Sequence, residues 1–322
     1  MRIVVHGGYP LKGTFRPSGN SNSALSLLAA ALLTDAPITL TGVPDTLSTA
    51  SMSDAAQVLG ANLVREGSTV RLQTPSLHTR ALEQELTEQV GAVLFLAPIL
   101  ARRRHARMEI SYPLSRLHTH LSALRDLGVT VRANNGVIDF QAESWQSREI
   151  TLLQTSVTTT ALASMLAASL GRETTIHNAA SEPHVQDLLM MLARMGARIE
   201  GAGSNRLHIR GTEALSGASV QLSPDYIETA SIAAIGAITR GSLSIEGVIP
   251  AHLHLIVRVL ARLGINLYLN GDTLFLPVHE SLASSQREEE LDVPIETAPW
   301  PGFPSDLIAM ATVVATQAQG TT

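Results

Sequence analysis

The 322-residue sequence contains no cysteine. Disulfides, thiolate nucleophiles and cysteine-ligated metal centres are therefore excluded together. Lysine occurs once, as Lys12, so Schiff-base and lysine-base chemistry have a single candidate and the remaining basic charge is arginine. Aromatic residues make up 3%, too few for the stacking platforms that hold single-stranded nucleic acids. No apolar run approaches the roughly 18 residues of a membrane span. "MRIVVHGG" is broken by glycine too early for the apolar core of a signal peptide. A net charge of −5 and a pI near 6.1 supply no general attraction to nucleic acid or acidic lipid. These absences lead to the expectation of a cytoplasmic protein with a small dissolved partner, and with no nucleic acid, membrane, metal or cofactor.

What is present is a repeat. The phrases "AAQVLGANLVREGSTVRL", "LSALRDLGVTVRANNGVIDF", "LLMMLARMGARIEGAGSNRLHI" and "LIVRVLARLGINLYLNGDTLFL" place a glycine every 68 residues, at Gly60, Gly128, Gly196 and Gly264. Each phrase reads as an amphipathic helix closed by glycine, then two short strands about a Gly/Asn turn. Ahead of each lies a more apolar helix, "SNSALSLLAAALL", "QVGAVLFLAPILA", "TTTALASMLAASL" or "YIETASIAAIGAI", leading into a further strand. The spacing predicts an α/β protein built from helix–strand–helix–strand–strand units of about 68 residues. The first helix of each unit is expected to be buried and the second to have a solvent face. A fifth copy begins at "FPSDLIAMATVVATQAQGTT" and the sequence stops where its strand is due. An open edge there is a candidate surface for self-association. The length independently suggests about two domains.

Four stretches carry a family resemblance: "GGYPLKGTFRPSGNSNSALSLLAAALL", "NAASEPHVQDLLMMLARMGARIEGAGSNRLHIRG", "PDYIETASIAAIGAIT" and "TAPWPGFPSDLIAMA". Together they resemble the enolpyruvyl transferases, and within them the UDP-N-acetylglucosamine 1-carboxyvinyltransferases of peptidoglycan synthesis. The resemblance implies an inside-out α/β barrel fold in two domains, residues 1–20 with 224–322 and residues 21–223, with the substrates between them. It implies phosphoenolpyruvate and UDP-N-acetylglucosamine as partners and no cofactor. By the same resemblance Asp306 is the base, Asn22 orients substrate, Ser156, Val157 and Thr158 form the uridine-binding turn, and Asp225 and Glu228 contact substrate. Arg116 is the candidate arginine for phosphoenolpyruvate, with Ser115 the alternative under a shifted alignment.

Several of these residues also have a plainer reading. Asp306 and Ser156 stand where helices begin and could serve as simple caps, and "NAASEP", with Asn178, Glu182 and Pro183, reads as a strand-to-helix capping turn. The sequence departs from the family pattern as well. Ser21 stands at a lysine position, Gln154 at another, Val90 and Tyr226 at arginine positions, and Thr158 at a glycine. "ISYPLSRLHTHL" replaces a longer loop that carries a cysteine general acid. Two functions stay open on these grounds. One is a transferase whose lost cations are replaced by Arg16, Arg116 or the Arg102–Arg104 cluster. The other is a module, a possible pseudoenzyme, that binds a nucleotide sugar or a partner chain without turnover. The pairs His118/His120 and His252/His254 have an i, i+2 spacing that points to different helix faces, which disfavours a shared metal. "RRRHAR" reads as a helix C-terminal cap and "REEELD", residues 287–292, as an exposed connection.

Overall fold

The structure, a computed structural model, describes residues 4–143, 145–170, 172–284 and 294–322; the "REEELD" stretch lies outside them. The chain divides into two compact units, Gly19–Ser223 and Met1–Ser18 with Pro224–Thr322. It passes between them at Ser18–Gly19 and again at Ser223–Pro224.

Every repeat follows one plan. An Ala/Leu-rich helix comes first: Ser21–Ala30, Leu96–Arg103, Val157–Ser169 or Tyr226–Ile238. A strand follows it: Ile38–Thr41, His105–Glu109, Glu173–His177 or Ser242–Glu246. Then comes an amphipathic helix, Leu47–Val58, His118–Asp126, Pro183–Arg194 or His254–Arg262. Gly60, Gly128, Gly196 and Gly264 close these helices at φ of +113°, +95°, +116° and +87°, a left-handed geometry that glycine adopts without a Cβ penalty. An antiparallel hairpin ends the unit, and its second strand pairs antiparallel with the unit's first strand.

The sheets hold one strand more than the repeat predicts. In the second and third units the segment just ahead of the apolar helix, Ala81–Leu82 or Arg148–Thr151, adds a parallel edge strand to its own sheet. In the first and fourth units these segments are exchanged. Lys12–Phe15 precedes the Ser21–Ala30 helix yet pairs with Ser242–Glu246, and Ala218–Gln221 precedes the Tyr226–Ile238 helix yet pairs with Ile38–Thr41. The two chain crossings have this effect: each four-stranded sheet is completed by whichever strand reaches its edge. The fifth copy repeats the opening of the plan, with Leu282–Ala283 pairing in parallel with Ala318–Gln319 after the Ile308–Gln317 helix.

In Gly19–Ser223 the three apolar helices pack on one another with the sheets outside them. Ten successive residues of Val157–Ser169, Thr159 to Ala168, are buried, as expected of a helix apolar on all sides. The Tyr226–Ile238 helix departs from that expectation. It buries Ala230, Ala233, Ala234 and Ala237, but Ile235 is 43% exposed. It packs on the Ile308–Gln317 helix and the Ser305–Leu307 turn ahead of it.

A buried carboxylate holds the two ends of Gly19–Ser223 together. Asp187 Oδ2 accepts from Ser23 Oγ at 2.6 Å and from Ser223 N at 3.1 Å, and its Oδ1 accepts from Ser223 Oγ at 2.6 Å. Asn20 N donates to Ser223 O at 2.9 Å beside it. Asp187→Leu strands buried donors on both chain ends and is expected to lower the unfolding free energy by about 3 kcal/mol, whereas Asp187→Asn costs roughly a third of that. Urea midpoints of the two variants check this; equal midpoints would show that the carboxylate does not act as the tie.

Candidate active site

The "SGNSN" turn is an Asn-capped helix start. Asn20 has extended backbone and its Oδ1 accepts from Ser23 N at 3.0 Å, which satisfies one of the donors that open every helix. Asn22 lies in the first turn of Ser21–Ala30 and is exposed. Ser156 caps Val157–Ser169 in the same way, accepting from Thr159 N at 3.3 Å, so its plainer reading is realised. The two residues after it are half-buried.

The Val157–Ser169 and His118–Asp126 helices are laced together at their first turns. Thr159 Oγ1 donates to Thr119 Oγ1 at 2.9 Å, and Thr158 Oγ1 lies 2.8 Å from His120 Nε2. Burial pushes the His120 imidazole down to about 4, with His118 a lesser cause, so the ring is neutral at pH 7. Immediately upstream is the Leu114–Leu117 turn, which carries Arg116. The Arg116 guanidinium lies 5.8 Å from the centroid of the Tyr112 ring, a cation–π distance. Burial raises the Tyr112 hydroxyl above its ordinary value against the opposing pull of Arg116.

Arg116, Tyr112 and His120 line a cavity of about 380 Å³ together with Thr87, Glu88 and Ser111. Ser111 Oγ donates to Glu88 Oε1 at 2.8 Å. That bond, and a second from Gln84, hold the Glu88 carboxyl below its usual range. In Gly19–Ser223, therefore, His120 is the link: it bonds to Thr158 of the Ser156–Thr158 turn and lines the cavity that Arg116 also lines. Asn22 makes no recorded bond to that group.

In the other unit, Asp225 accepts from Ile227 N at 2.9 Å and Glu228 N at 3.1 Å as the cap of Tyr226–Ile238. The Glu228 Oε2 accepts from Ser18 N at 2.8 Å and Ser18 Oγ at 2.9 Å, and Asp225 N donates to Ser18 O at 2.8 Å. Both acidic residues thus fix the chain where it leaves this unit. Asp306 sits in the Ser305–Leu307 turn, is exposed, and makes no capping bond to that turn or to the Ile308–Gln317 helix. Its plainer reading as an N-cap is overturned by the backbone: Pro304 holds the cap position of the Ser305–Leu307 turn, so Asp306 is already inside it. The "APWPGFPSD" segment is held by Ala298 N to Phe303 O at 3.1 Å and by the buried Phe303 ring. Trp300 packs on Tyr226 at 5.5 Å between centroids and on His252 at 6.3 Å. This aromatic group joins the "PDYIET" and "APWPGFPSD" motifs.

The alternative cations are mostly committed elsewhere. Arg16 pairs with Glu246 at 3.0 Å. Arg102 donates to the carbonyls of Leu32, Thr74 and Pro75 at 3.0, 2.9 and 3.0 Å, and burial lowers its basicity. Arg103 donates to Leu77 O, and Arg104 lies over Trp145 at 5.5 Å. The "RRR" run therefore ends its helix and ties loops to it. His118 is exposed and bonded to Ser115 O while His120 is buried, so the H-x-H residues diverge as their spacing predicts. Among the described residues no group of three or more His, Cys, Asp or Glu could hold a metal, and no helix is long and apolar enough to cross a membrane.

Comparison with known proteins places this arrangement. Residues 5–322 match the family model for EPSP synthase (3-phosphoshikimate 1-carboxyvinyltransferase). This chain belongs to the EPSP synthase family of enolpyruvyl transferases. A UDP-N-acetylglucosamine 1-carboxyvinyltransferase of Treponema denticola is 38% identical over 99% of this chain and 76% of its own length. One of Bradyrhizobium diazoefficiens is 37% identical over 99% of this chain and 75% of its own. The chain thus spans about three quarters of these family members. Among solved structures, the enolpyruvyl transferase NikO from Streptomyces tendae superposes with a TM-score of 0.83 at 24% identity, covering 98% of this chain and 75% of that one. The fold is that of the family.

Sequence reasoning missed the Thr158–His120 contact, the Tyr226–Trp300–His252 group and the Asp187 tie. The first two join residues 38 and 74 positions apart, and no local pattern signals such pairings. The sequence singled out Thr158, His120, Tyr226 and His252 one by one, but not their pairing.

Proposed function

We propose that this chain transfers the enolpyruvyl group of phosphoenolpyruvate to a hydroxyl of UDP-N-acetylglucosamine, releasing phosphate. The sugar oxygen bonds to the enol carbon as its proton leaves to a base, the methylene carbon gains a proton, and elimination of phosphate with loss of a proton restores the double bond. Asp306 is the proposed base, Asn22 orients the sugar, the Ser156–Val157–Thr158 turn receives the nucleotide, and Arg116 faces an anionic group. The observation that carries this reading is the exposed Asp306, spent on no cap and held by a turn anchored on Phe303 and Trp300. Similarity over 99% of this chain, and over about three quarters of enzymes named for that reaction, supports it.

A second reading, nucleotide-sugar binding without turnover, is favoured by a different observation: Arg16, Arg102 and Arg103 are engaged elsewhere and Ser21 offers no charge. One experiment separates the two. Phosphate release from phosphoenolpyruvate is expected to depend on UDP-N-acetylglucosamine and to fall by about 10²–10⁴-fold in Asp306→Asn. Folded protein that binds the nucleotide sugar in calorimetry but releases no phosphate would replace the first reading with the second.

A further inference from the structure

Thr158 ties the first turn of the Val157–Ser169 helix to a buried histidine in the wall of the cavity. Thr158 Oγ1 lies 2.8 Å from His120 Nε2, and the neighbouring Thr159 Oγ1 reaches Thr119 Oγ1 at 2.9 Å. Two successive bonds thus bind the start of one helix to the start of another. His120 is 8% exposed, yet it forms part of the cavity wall that also carries Arg116, four residues upstream. Its second ring nitrogen, Nδ1, has no hydrogen-bond partner among the described residues. Thr158 therefore makes the one recorded hydrogen bond to the imidazole, and the ring's orientation depends on it. A buried ring held by a single bond departs from the usual pairing of such groups.

We propose that Thr158 and His120 are a positioning pair, which sets the Ser156–Thr158 turn against the Arg116 wall of the cavity so that both engage one nucleotide-sugar ligand. The pair rests on the functional reading above, since that reading places the nucleotide at the turn. The imidazole suits the task because it is neutral: burial keeps it uncharged, and it leaves Arg116 as the cation of that wall. The Thr158 hydroxyl supplies a fixed link between turn and wall. A positioning pair acts as a unit, so removing either member should forfeit the same affinity.

The test is calorimetric titration of the full chain with UDP-N-acetylglucosamine and, separately, with UDP alone. Thr158→Val is expected to weaken UDP-N-acetylglucosamine binding by about tenfold, the size of one hydrogen bond. Thr158→Ser, which keeps the hydroxyl, should return affinity to within about twofold of the unaltered protein. His120→Leu should lose as much as Thr158→Val, and the double variant no more than either alone. Thermal unfolding of each variant guards against reading misfolding as lost affinity, and the valine–serine pair carries the test if His120→Leu fails to fold. Unchanged affinity in Thr158→Val, or additive losses in the double variant, overturns the pair while leaving the functional reading in place. Failure of the unaltered, folded protein to bind either nucleotide overturns that reading, and the pair's ligand role with it.

Discussion

Gly19→Ala is expected to cost more than about 4 kcal/mol and to leave Gly19–Ser223 largely unfolded, since such losses approach the whole stability of an ordinary domain. A Cβ built on Gly19 would lie 2.0 Å from the carbonyl oxygen of Gly42 and 3.1 Å from Leu222 Cβ. The near atom is backbone, so no rotamer change relieves it. Nor is Gly42 able to retreat: it follows Ile38–Thr41, whose Thr41 O accepts from Leu222 N at 2.9 Å, and that strand is flanked by Ala218–Gln221 and Thr69–Gln73. Gly19 is thus the point where the entering chain passes over the seam between the first strand and the exchanged strand. Gly7→Ala is the matched control, because a Cβ there meets nothing within 4 Å, and it should change stability by less than about 0.5 kcal/mol. Urea unfolding of the two variants decides the matter. A Gly19→Ala protein as stable as the control would mean that the seam opens without cost.

The repeat was legible because it is written in local chemistry. A glycine that must adopt positive φ, an apolar stripe with helical spacing and a Gly/Asn turn each act over a few residues, and all four copies of the plan could be placed from those signals alone. The exchanged edge strands could not. Lys12–Phe15 and Ala218–Gln221 join their sheets through parallel backbone pairing, which is indifferent to side chains, so nothing in "KGTF" or "ASVQ" names its partner. The same limit applies to the site. Serine before a helix was readable as a cap, and Ser156 is one. "PDYIET" pointed to Asp225 and Glu228 as a pair, but that Glu228 closes on Ser18 depends on where the chain crosses between units. Asp306 shows the opposite case. Its helix-start position suggested a cap, but Pro304 takes the cap position two residues earlier and the Asp306 carboxylate caps nothing. The buried Asp187 sits in an amphipathic helix whose pattern predicts only that one face is covered, not that two serines from the ends of the unit meet there.

Acid should unfold this protein earlier than its carboxylates alone would require. His120 and His184 are both buried, and burial lowers each to about 4, against about 6.5 for histidine in an unfolded chain. For a base lowered in the folded state the sign is fixed. Between pH 6.5 and 4 the unfolded chain binds a proton at each site that the native state refuses, so stability falls as pH falls, and below about 4 the loss levels off as the native rings protonate. Each ring contributes a slope of about 1.4 kcal/mol per pH unit over that window, or on the order of 3 kcal/mol between pH 7 and 4. The pair together is comparable with the stability of a marginal domain. Urea midpoints measured at pH 7, 5.5 and 4.5 should fall steeply in the unaltered protein. His184→Gln should lose stability at pH 7 but show a slope shallower by about one proton, because glutamine does not titrate; His120→Gln should do the same. Comparing slopes rather than midpoints cancels the carboxylates, which titrate alike in all three proteins. An unchanged slope in both variants would mean that these rings take up protons in the folded state as readily as in the unfolded one, and that their surroundings admit charge despite their burial.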